Sequence, residues 1–495
     1  MSISTVTTDD LRRMNGKEGL VLQGCGGDPQ EWLDGINGLL TDESILKNGS
    51  KFENISVFQN GSLTNILFPF EDGVEIDMGK LAMWRLHSHE QFGGTWLSDY
   101  VPNRLGGFIS EHEPDRIKYT PGIFSGGTDM EAQNVSLEGK TILVTGGAGF
   151  IGARLSQLLL ERIHPVRVVV LDELNDYYDP RLKHWRLEQL RHTADRYAAQ
   201  GSRFAFVRGS IADEHLVRRT FADYTPAVVV NLAAQAGVRY SIDHPDAYIE
   251  SNLVGFFRIL EACRHSLDGG GPGVEHLVYA SSSSVYGSNT KLPYSTEDKT
   301  DSPVSLYAAT KKSDELLACA YAGLYRIPAT GLRFFTVYGP AGRPDMAYFK
   351  FTDCLRRGER IPLYNYGSCM RDFTYVDDIV EGILRVMTCA PAAASAPEGA
   401  SAPHRVYNIG NSQPVKLLDF VRTLQQELIR EELLPQDHDL AAHTELLPMQ
   451  PGDVLATYAD TSPLERDFGF RPATPLREGL RRFARWYRAF YGPQS

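Results

Sequence analysis

From residue 139 onward, short apolar runs alternate with segments whose apolar residues recur at helical spacing. Thr141–Thr145 (TILVT) is almost wholly apolar, as a strand must be when a parallel sheet buries both of its faces. The segment that follows, Phe150–Arg162, has the amphipathic period of a helix. This alternation predicts an α/β fold with a doubly wound parallel sheet and right-handed crossovers. Further strands are predicted at Val166–Leu171, Arg203–Val207, Ala227–Leu232, Glu275–Ala280 and Ala329–Arg333.

The first 117 residues lack this rhythm. Their apolar residues are scattered among Gly, Asn and Asp, and only short strands such as Ser56–Gln59 and Asn65–Pro69 are indicated. Residues 118–138 are rich in Gly, Ser, Thr and Asp, which predicts a linker between two folding units. A chain of 495 residues is also longer than a typical single domain.

Composition and charge argue against several classes of function. Hydrophobic residues make up 42% and charged residues 23% of the chain, as in ordinary globular proteins. The net charge of -12 argues against nucleic acid or an anionic membrane as the main partner. The six cysteines form no C-x-x-C pair and have no histidines at zinc-ligand spacing, so we expect free thiols and no metal site. The sequence has neither a secretory signal nor an apolar run of membrane-spanning length, which predicts a cytoplasmic protein.

A glycine-rich turn, TGGAGFIG, lies between the first predicted strand and its helix. Gly146, Gly149 and Gly152 suit this place because a tight turn, a close backbone approach to a pyrophosphate and close helix packing all exclude a Cβ atom. Phosphates would then lie at the positive end of the helix, near Phe150 and Ile151. The strand and helix on either side raise this motif above a chance glycine turn and predict a dinucleotide site.

Asp172 ends the next predicted strand, where a carboxylate can accept hydrogen bonds from the hydroxyls of an adenosine ribose. The same charge would repel a 2′-phosphate. The expected cofactor is therefore NAD rather than NADP.

Tyr307 and Lys311 form a Y-x-x-x-K pair on a predicted helix, and their i, i+4 spacing places both on one face. A free phenol titrates near pH ~10, but a neighbouring ammonium and a positive nicotinamide ring both favour the phenolate and make it a usable base. Lys311 can also bind the ribose of the cofactor. Alone, the pair is equally typical of an exposed, ion-paired helix face. The serines at 281–284, directly after a predicted strand, add a hydroxyl that can relay a proton to Tyr307.

The G-x-x-G-x-x-G spacing, together with these motifs, resembles the extended branch of the short-chain dehydrogenase/reductase superfamily. The resemblance implies a Rossmann-type core with a smaller C-terminal substrate lobe. It makes Ser282 the catalytic hydroxyl, with Ser283 and Ser284 as close neighbours. It also implies that Ala233, in NLAAQAG, and Ile211 lie beside the cofactor. Ser210 stands where the family usually has Asp, which puts one adenine contact in doubt.

Longer stretches across residues 139–495 resemble the UDP-glucuronate 4-epimerases. The resemblance implies a UDP-sugar substrate, tightly bound NAD and a homodimer formed through helices like Asp246–His265 and Ser305–Tyr325. The matching stretches are Leu174–Lys183, Ala233–His265, Ser305–Leu316, Gly331–Ala347, Arg371–Ile383 and Met449–Phe470.

A UDP-uronate carries a diphosphate and a carboxylate, and both fit a guanidinium fork. Arg239, Arg343 and Arg371 are therefore candidate anion partners, although each is also compatible with a surface salt bridge. The resemblance places Arg371 near UDP, and Thr336 and Arg343 near the sugar carboxylate. Thr336 stands where UDP-galactose 4-epimerases tend to have Asn.

The reaction that this resemblance implies is oxidation at C4, rotation of the 4-keto sugar and reduction from the opposite face. Two sister activities remain open, UDP-glucuronate decarboxylase and UDP-glucose/UDP-galactose 4-epimerase. A non-catalytic nucleotide-binding protein is disfavoured because Tyr307, Lys311 and the serines are all present.

The expected organisation is an extra N-terminal domain of unknown fold and function (1–117), the linker (118–138), an NAD-binding core (139–340) and a mainly substrate-binding lobe interleaved with that core (341–495). The N-terminal domain resembles nothing in the epimerase family. Its His87 and His89 could form half of a metal site but are more typical of surface histidines.

Overall fold

The structure, a computed structural model, describes residues 19–25, 56–60, 63–69, 97–101, 133–391, 402–448 and 456–492. The chain divides into two compact units, Met1–Thr128 and Asp129–Ser495. The division falls inside the segment that the sequence predicts as a linker. His87, His89 and residues 118–132 of that linker lie outside the described residues.

The described part of the first unit is a four-stranded antiparallel sheet. Its strands are β1 (Gly19–Cys25), β2 (Ser56–Asn60), β3 (Leu63–Pro69) and β4 (Leu97–Val101), in the order β2-β3-β1-β4. The two strands expected from the sequence correspond to β2 and β3, whereas β1 and β4 were not expected.

The second unit contains thirteen described strands. Seven of them form a parallel central sheet, in the order β14-β10-β9-β8-β5-β6-β7. The strands are β5 (Thr141–Thr145), β6 (Arg167–Asp172), β7 (Arg203–Arg208), β8 (Val228–Asn231), β9 (His276–Ser282), β10 (Ala329–Phe334), β11 (Thr336–Tyr338), β12 (Ile361–Leu363), β13 (Met370–Tyr375), β14 (His404–Ile409), β15 (Pro414–Lys416), β16 (Thr444–Leu446) and β17 (Ala456–Thr457).

Helices connect these strands. The described α-helices are α1 (Phe150–Arg162), α2 (Pro180–Arg196), α3 (Glu214–Tyr224), α4 (Tyr240–Asp243), α5 (Pro245–Tyr248), α6 (Gly255–His265), α7 (Leu306–Tyr325), α8 (Ala347–Arg356), α9 (Val376–Met387), α10 (Leu417–Arg430), α11 (Ser462–Phe468) and α12 (Leu476–Tyr491). A π-helical stretch (Ile249–Val254) joins α5 to α6, and a short 3-10 helix (Ser283–Tyr286) follows β9.

Strand β5 shows why the sheet is covered on both sides. Ile142 and Val144 pack into one hydrophobic cluster, while Leu143 packs into the cluster on the opposite face. None of the three is more than 1% exposed. The order of strands reverses between β5 and β8, and the carboxyl ends of strands at such a point open a crevice that binds ligands in α/β folds. The predicted doubly wound parallel sheet is confirmed.

The smaller lobe follows β10. It contains a sheet of β11, β13 and β15 with β17 beside β13, and a separate pair formed by β12 and β16. Helix α12 joins this lobe to the core, because its Trp486 and Phe490 make edge contacts with Trp185 of α2. Strand β14, from the C-terminal part of the chain, returns to the central sheet beside β10. The lobe and the core are therefore interleaved.

The end of the expected linker is packed rather than free. The side chain of Asn134 donates to the carbonyl of Ala390 and accepts from its amide, both at 2.8 Å. Val135 and Leu137 belong to the hydrophobic core of the second unit. Polar composition suggested a linker up to residue 138, but two apolar side chains within it are enough to anchor residues 134–137.

Among the described residues, no helix is both long enough and apolar enough to cross a membrane. The five cysteines with described side chains, Cys263, Cys319, Cys354, Cys369 and Cys389, are free thiols.

Candidate active site

A cavity of about 270 Å³ opens at the carboxyl ends of the central strands. It brings together most of the residues that the sequence singled out, from both sides of the reversal in strand order. The predicted site residues on its wall are Gly146, Gly149, Phe150, Ile151, Gly152, Asp172, Ile211, Ala233, Ser282, Tyr307, Lys311 and Arg343.

The glycine turn fits close to the strand ends. Gly146 has a φ of +65°, and a Cβ atom there would lie 2.7 Å from the amide nitrogen of Ala233. A Cβ atom on Gly152 would lie 2.4 Å from the carbonyl oxygen of Gly146. Both positions exclude any larger residue, because the obstructing atoms belong to the backbone. The turn thus leaves bare backbone facing the cavity at the start of α1, which suits a pyrophosphate.

Asp172 ends β6 and holds the two loops that border this half of the cavity. Its carboxylate accepts a hydrogen bond from the amide of Ala148 at 3.1 Å and another from the amide of Leu174 at 2.9 Å. Two such bonds leave lone pairs on both oxygens for ribose hydroxyls. The arrangement therefore fits the adenosine end of NAD.

Lys183 is a cavity residue that the sequence analysis did not identify. Its Nζ donates to the backbone oxygen and to the Oδ1 of Asn175, at 2.8 and 2.6 Å, and lies 5.0 Å from the centre of the Tyr178 ring. Lys183 comes from α2 and Asn175 from the loop after β6. Both lie in the stretch Leu174–Lys183, which was identified only by its resemblance to the UDP-glucuronate 4-epimerases. Nothing in the spacing of its residues indicated that Lys183 faces the cavity.

Tyr307 and Lys311 lie at the start of α7. The side chain of Ser305 caps this helix by accepting from the amide of Ala308 at 3.1 Å. Lys311 Nζ donates to the carbonyl of Ala280 on β9 at 2.9 Å, which ties the helix to the sheet. Tyr307 packs edge-on against Tyr248, with ring centres 6.0 Å apart. The predicted pair therefore faces the cavity, and it is not an exposed helix surface.

The four serines at positions 281–284 differ in their surroundings. Ser282 lines the cavity, and its Oγ accepts from the amide of Ser284 at 3.1 Å and donates to the Ser284 hydroxyl at 3.1 Å. Ser281 also borders the cavity but donates its hydroxyl to Glu315 on α7 at 2.7 Å. Ser283 and Ser284 belong to the 3-10 helix and do not form part of the cavity wall.

A buried network behind the cavity fixes α7 against the sheet. Arg333 on β10 donates Nε and Nη2 to the two oxygens of Glu315, at 2.8 and 2.9 Å. Its Nη1 reaches the Tyr286 hydroxyl at 3.1 Å, and Tyr286 donates to Asn408 on β14 at 2.7 Å. Burial alone would raise the pKa of Glu315, but the hydrogen bonds and charge of Arg333 hold that pKa below its ordinary value. Sequence analysis missed this network.

Arg343 lies on the cavity wall on the substrate-lobe side. Its Nε donates to Asp345 Oδ1 at 2.9 Å, and its Nη2 donates to the other oxygen. Tyr177, from the loop after β6, donates its hydroxyl to Asp345 at 3.2 Å. Burial and the neighbouring Asp345 charge raise the pKa of Tyr177 to about 12, which keeps this proton in place. The charge of Arg343 is thus held at a fixed position beside the cavity.

The other predicted substrate residues lie off the cavity wall. The guanidinium of Arg239 is 5.4 Å from the centre of the Tyr364 ring. Arg371, on β13, donates Nη1 to the carbonyl of Met370 at 2.8 Å. Thr336 begins β11 and pairs with Phe373. Their roles toward a substrate stay predictions.

Within the described ranges, no group of three or more His, Cys, Asp or Glu side chains is arranged to hold a metal ion. The cavity instead offers a phenol, an ammonium and a hydroxyl beside a glycine turn suited to a dinucleotide. This set is equipped to remove a proton from a substrate hydroxyl while a hydride leaves the same carbon.

Comparison with known proteins gives one family. The family model described as GDP-mannose 4,6 dehydratase matches residues 143–483. "UDP-glucuronate 4-epimerase 4" of Arabidopsis thaliana is 44% identical over 359 residues, covering 71% of this chain and 76% of that protein. "Probable UDP-glucuronate 4-epimerase" of Rhizobium meliloti (strain 1021) is 42% identical over 353 residues, covering 70% and 96%. Among solved structures, UDP-glucuronic acid 4-epimerase from Bacillus cereus, in complex with UDP-glucuronic acid and NAD, has a TM-score of 0.59 and 30% identity, covering 71% and 100%.

Proposed function

This chain belongs to the GDP-mannose 4,6 dehydratase family of extended short-chain dehydrogenases/reductases, and we propose that it interconverts UDP-glucuronate and UDP-galacturonate as an NAD-dependent 4-epimerase. The observation that carries the proposal is that one cavity joins the glycine turn, the Tyr307–Lys311 pair, Ser282 and Arg343. The relatives named above support the choice of substrate.

The cofactor would be held by the glycine turn, by the N-terminus of α1 and by Asp172. When bound there, NAD supplies a hydride acceptor and donor for C4 of the sugar. Tyr307 accepts the proton of the C4 hydroxyl as that hydroxyl becomes a carbonyl, and later returns a proton to the oxygen. Lys311 favours the phenolate form of Tyr307 by its charge, and Ser282 hydrogen-bonds the reacting oxygen.

The uronate carboxylate would be bound by Arg343. A guanidinium keeps donors beyond those that bind Asp345, so the residue can be held from one side and bind a ligand from the other. Holding this group matters because the 4-keto intermediate is a β-keto acid, which can lose CO₂ from C5. An epimerase must keep the carboxylate in place while the keto sugar turns over and is reduced from its opposite face.

We extend the proposal to a homodimer. The segment Asp246–His265 and helix α7 expose large apolar side chains, among them Phe257, Leu316 and Leu324. Pairing these helices with those of a second copy would cover this surface and form a four-helix interface. Light scattering of the purified chain should give twice the mass of one copy, and a monomer at micromolar concentration would contradict this part of the proposal.

Incubation of the purified chain with UDP-glucuronate, without added NAD, tests the proposed reaction by NMR. The expected product is UDP-galacturonate with no release of CO₂, which would also indicate that the chain retains its NAD. UDP-pentose with CO₂ would instead identify a decarboxylase. If UDP-glucuronate is not converted even with added NAD, but UDP-glucose is, the assignment of a uronate as the substrate is wrong.

A further inference from the structure

Asp314 is bonded directly to the lysine of the Tyr307–Lys311 pair. Lys311 Nζ lies 3.0 Å from Asp314 Oδ2, one helical turn further along α7, and the two side chains are only 3% and 2% exposed. The same ammonium donates to the Ala280 carbonyl of β9. Two of its three N–H groups thus have partners among the described residues, which leaves one for ligands in the cavity.

The next residue, Glu315, shows what a structural carboxylate on this helix looks like. Both of its oxygens are bonded to Arg333, and it also accepts from Ser281. Asp314 differs, because its Oδ1 is buried and has no hydrogen-bond partner among the described residues. Buried polar atoms are nearly always bonded, so a half-satisfied carboxylate needs a reason. In the part of the chain that the structure describes, its one oppositely charged partner is Lys311.

Few charged groups surround this carboxylate. On α7 it is flanked by Lys311 and Glu315, and Tyr279 faces it from β9. Glu315 is matched by Arg333, and burial raises the pKa of Tyr279, which therefore stays neutral. Burial raises the pKa of Asp314 to about 6, against the opposing attraction of Lys311. At neutral pH the carboxylate is therefore charged and compensates the lysine.

We propose that Asp314 is a positioning residue for the epimerase reaction, which holds the Lys311 ammonium against β9 and moderates the positive charge that Lys311 presents to Tyr307. This inference rests on the proposed function of the same site. The proposal gives the buried, half-bonded carboxylate of Asp314 a function: its negative charge partly offsets the positive charge of Lys311, which promotes ionisation of Tyr307.

Asp314→Asn tests the idea, because it preserves the shape of the side chain and removes its charge. The uncompensated lysine should stabilise the Tyr307 phenolate, so that Tyr307 ionises at a pH lower by on the order of one unit, the size of shift that a nearby charge commonly causes. Asp314→Glu keeps the charge, so Tyr307 in this variant should ionise at nearly the same pH as in the wild type. Lys312→Gln, at the neighbouring and more exposed position, removes a charge bonded to Glu315 and serves as the control.

Two readouts are needed, both on the full-length, NAD-loaded chain. The first is an ultraviolet titration of the phenolate, taken as the difference between each protein and its Tyr307→Phe counterpart, which requires no substrate. The second is the pH dependence of kcat with UDP-glucuronate. Its acid limb should shift to lower pH by the same amount as the phenolate titration. If UDP-glucuronate is not turned over, the proposed function fails, while the titration still decides the role of Asp314.

The proposal is overturned if Asp314→Asn has the wild-type titration and pH profile and differs only in thermal stability, since Asp314 would then be merely structural. Should the Asn variant not fold, Asp314→Ser also removes the charge and should show the same downward shift. An unshifted Ser variant would be equally decisive against the idea.

Discussion

At the residue scale, the reaction proposed for the cavity depends on one hydroxyl, that of Tyr307. Tyr307 lines the same cavity as Ser282 and Lys311, and its ring packs edge-on against Tyr248. A base must lie within hydrogen-bond reach of the proton that it removes, and a tyrosine performs this task only through its oxygen. Removing that oxygen should therefore separate catalysis from folding and from cofactor binding.

We predict that Tyr307→Phe lowers kcat for UDP-glucuronate by about 10²- to 10⁴-fold, the usual contribution of a general base. NAD content and melting temperature should stay close to those of the wild type. Tyr321→Phe makes the same chemical change further along α7, off the cavity wall, and should keep nearly full turnover. Similar losses in both variants would mean that Tyr307 acts through the helix and is not the base.

Which site residues can be predicted from sequence depends on how local their signal is. The glycine turn and the Tyr307–Lys311 pair are recognisable because their spacing follows one turn or one helix. The contact of Tyr177 with Asp345 joins residues 168 positions apart, and no pattern in either segment indicates it. Arg371 lies on β13 and off the wall of this cavity, and its expected place near UDP stays a prediction.

At the element scale, the strand-turn-helix unit of β5 and α1 was predictable to the residue. Four of the five residues in its strand are buried, and backbone atoms leave room only for glycine at Gly146 and Gly152, so both the strand and the turn have a strong local signal. Strand β14 was not expected, because its alternating sequence (HRVYNI) follows a low-complexity stretch and joins the sheet only through its distant neighbour β10. Long-range pairing of this kind has no local signature.

We predict that Gly152→Ala removes bound NAD and destabilises the chain by about 1–3 kcal/mol, because the new methyl group meets backbone atoms that cannot yield. Gly323→Ala in α7 is the matched control. Among the described residues its Cβ atom would meet only the Cβ of Ala402, at an ordinary contact distance of 3.6 Å, and alanine favours a helix over glycine by about 1 kcal/mol. Cofactor content by absorbance and stability by denaturant unfolding would check both. Full NAD content in Gly152→Ala would contradict the assigned role of the turn.

The network between α7 and the sheet gives another prediction. Glu315→Gln would leave the guanidinium of Arg333 buried without its counter-charge, which should cost about 3–5 kcal/mol of unfolding free energy. Glu359→Gln breaks an exposed pair with Arg357 and should cost about 0–1 kcal/mol. Urea unfolding of the two variants beside the wild type measures the difference. Equal, small losses would show that α7 does not depend on this pair.

At the scale of the whole molecule, buried histidines make stability depend on pH. His276 on β9 contacts the hydroxyl of Thr330 on β10 and the carbonyl of Met387 at the end of α9, and burial lowers its pKa to about 4. A histidine whose pKa is depressed in the folded state contributes stability that is present above pH ~6.5 and is lost as pH falls toward 4. His404 acts in the same direction, since burial lowers its pKa to about 4 as well.

We predict that protonation of His276 alone removes on the order of 3 kcal/mol of stability between pH 7 and pH 4. Asp314 opposes this, because its raised pKa adds stability as pH falls through about 6. The difference between wild type and His276→Gln isolates the histidine, and it should narrow toward low pH. His192→Gln changes an exposed residue and should leave the pH slope intact. If the difference in melting temperature between wild type and His276→Gln is the same at every pH, the low pKa of His276 does not contribute to the pH dependence of stability.

The division of the chain yields the final prediction. Every residue that lines the cavity belongs to the unit Asp129–Ser495, and the structure from Bacillus cereus is covered completely by 71% of this chain. We therefore expect a chain beginning at residue 129 to keep kcat/KM for UDP-glucuronate within about threefold of the full chain.

A chain beginning at residue 139 should be less stable than one beginning at residue 129, because it lacks Val135, Leu137 and the hydrogen bonds of Asn134. Burial of two such apolar side chains contributes about 3–6 kcal/mol, so its melting temperature should fall clearly below that of the longer fragment. If the chain beginning at 129 is stable and binds NAD but does not turn over substrate, residues 1–128 take part in the reaction. Equal stability of the two fragments would show instead that residues 134–137 are a dispensable part of the linker.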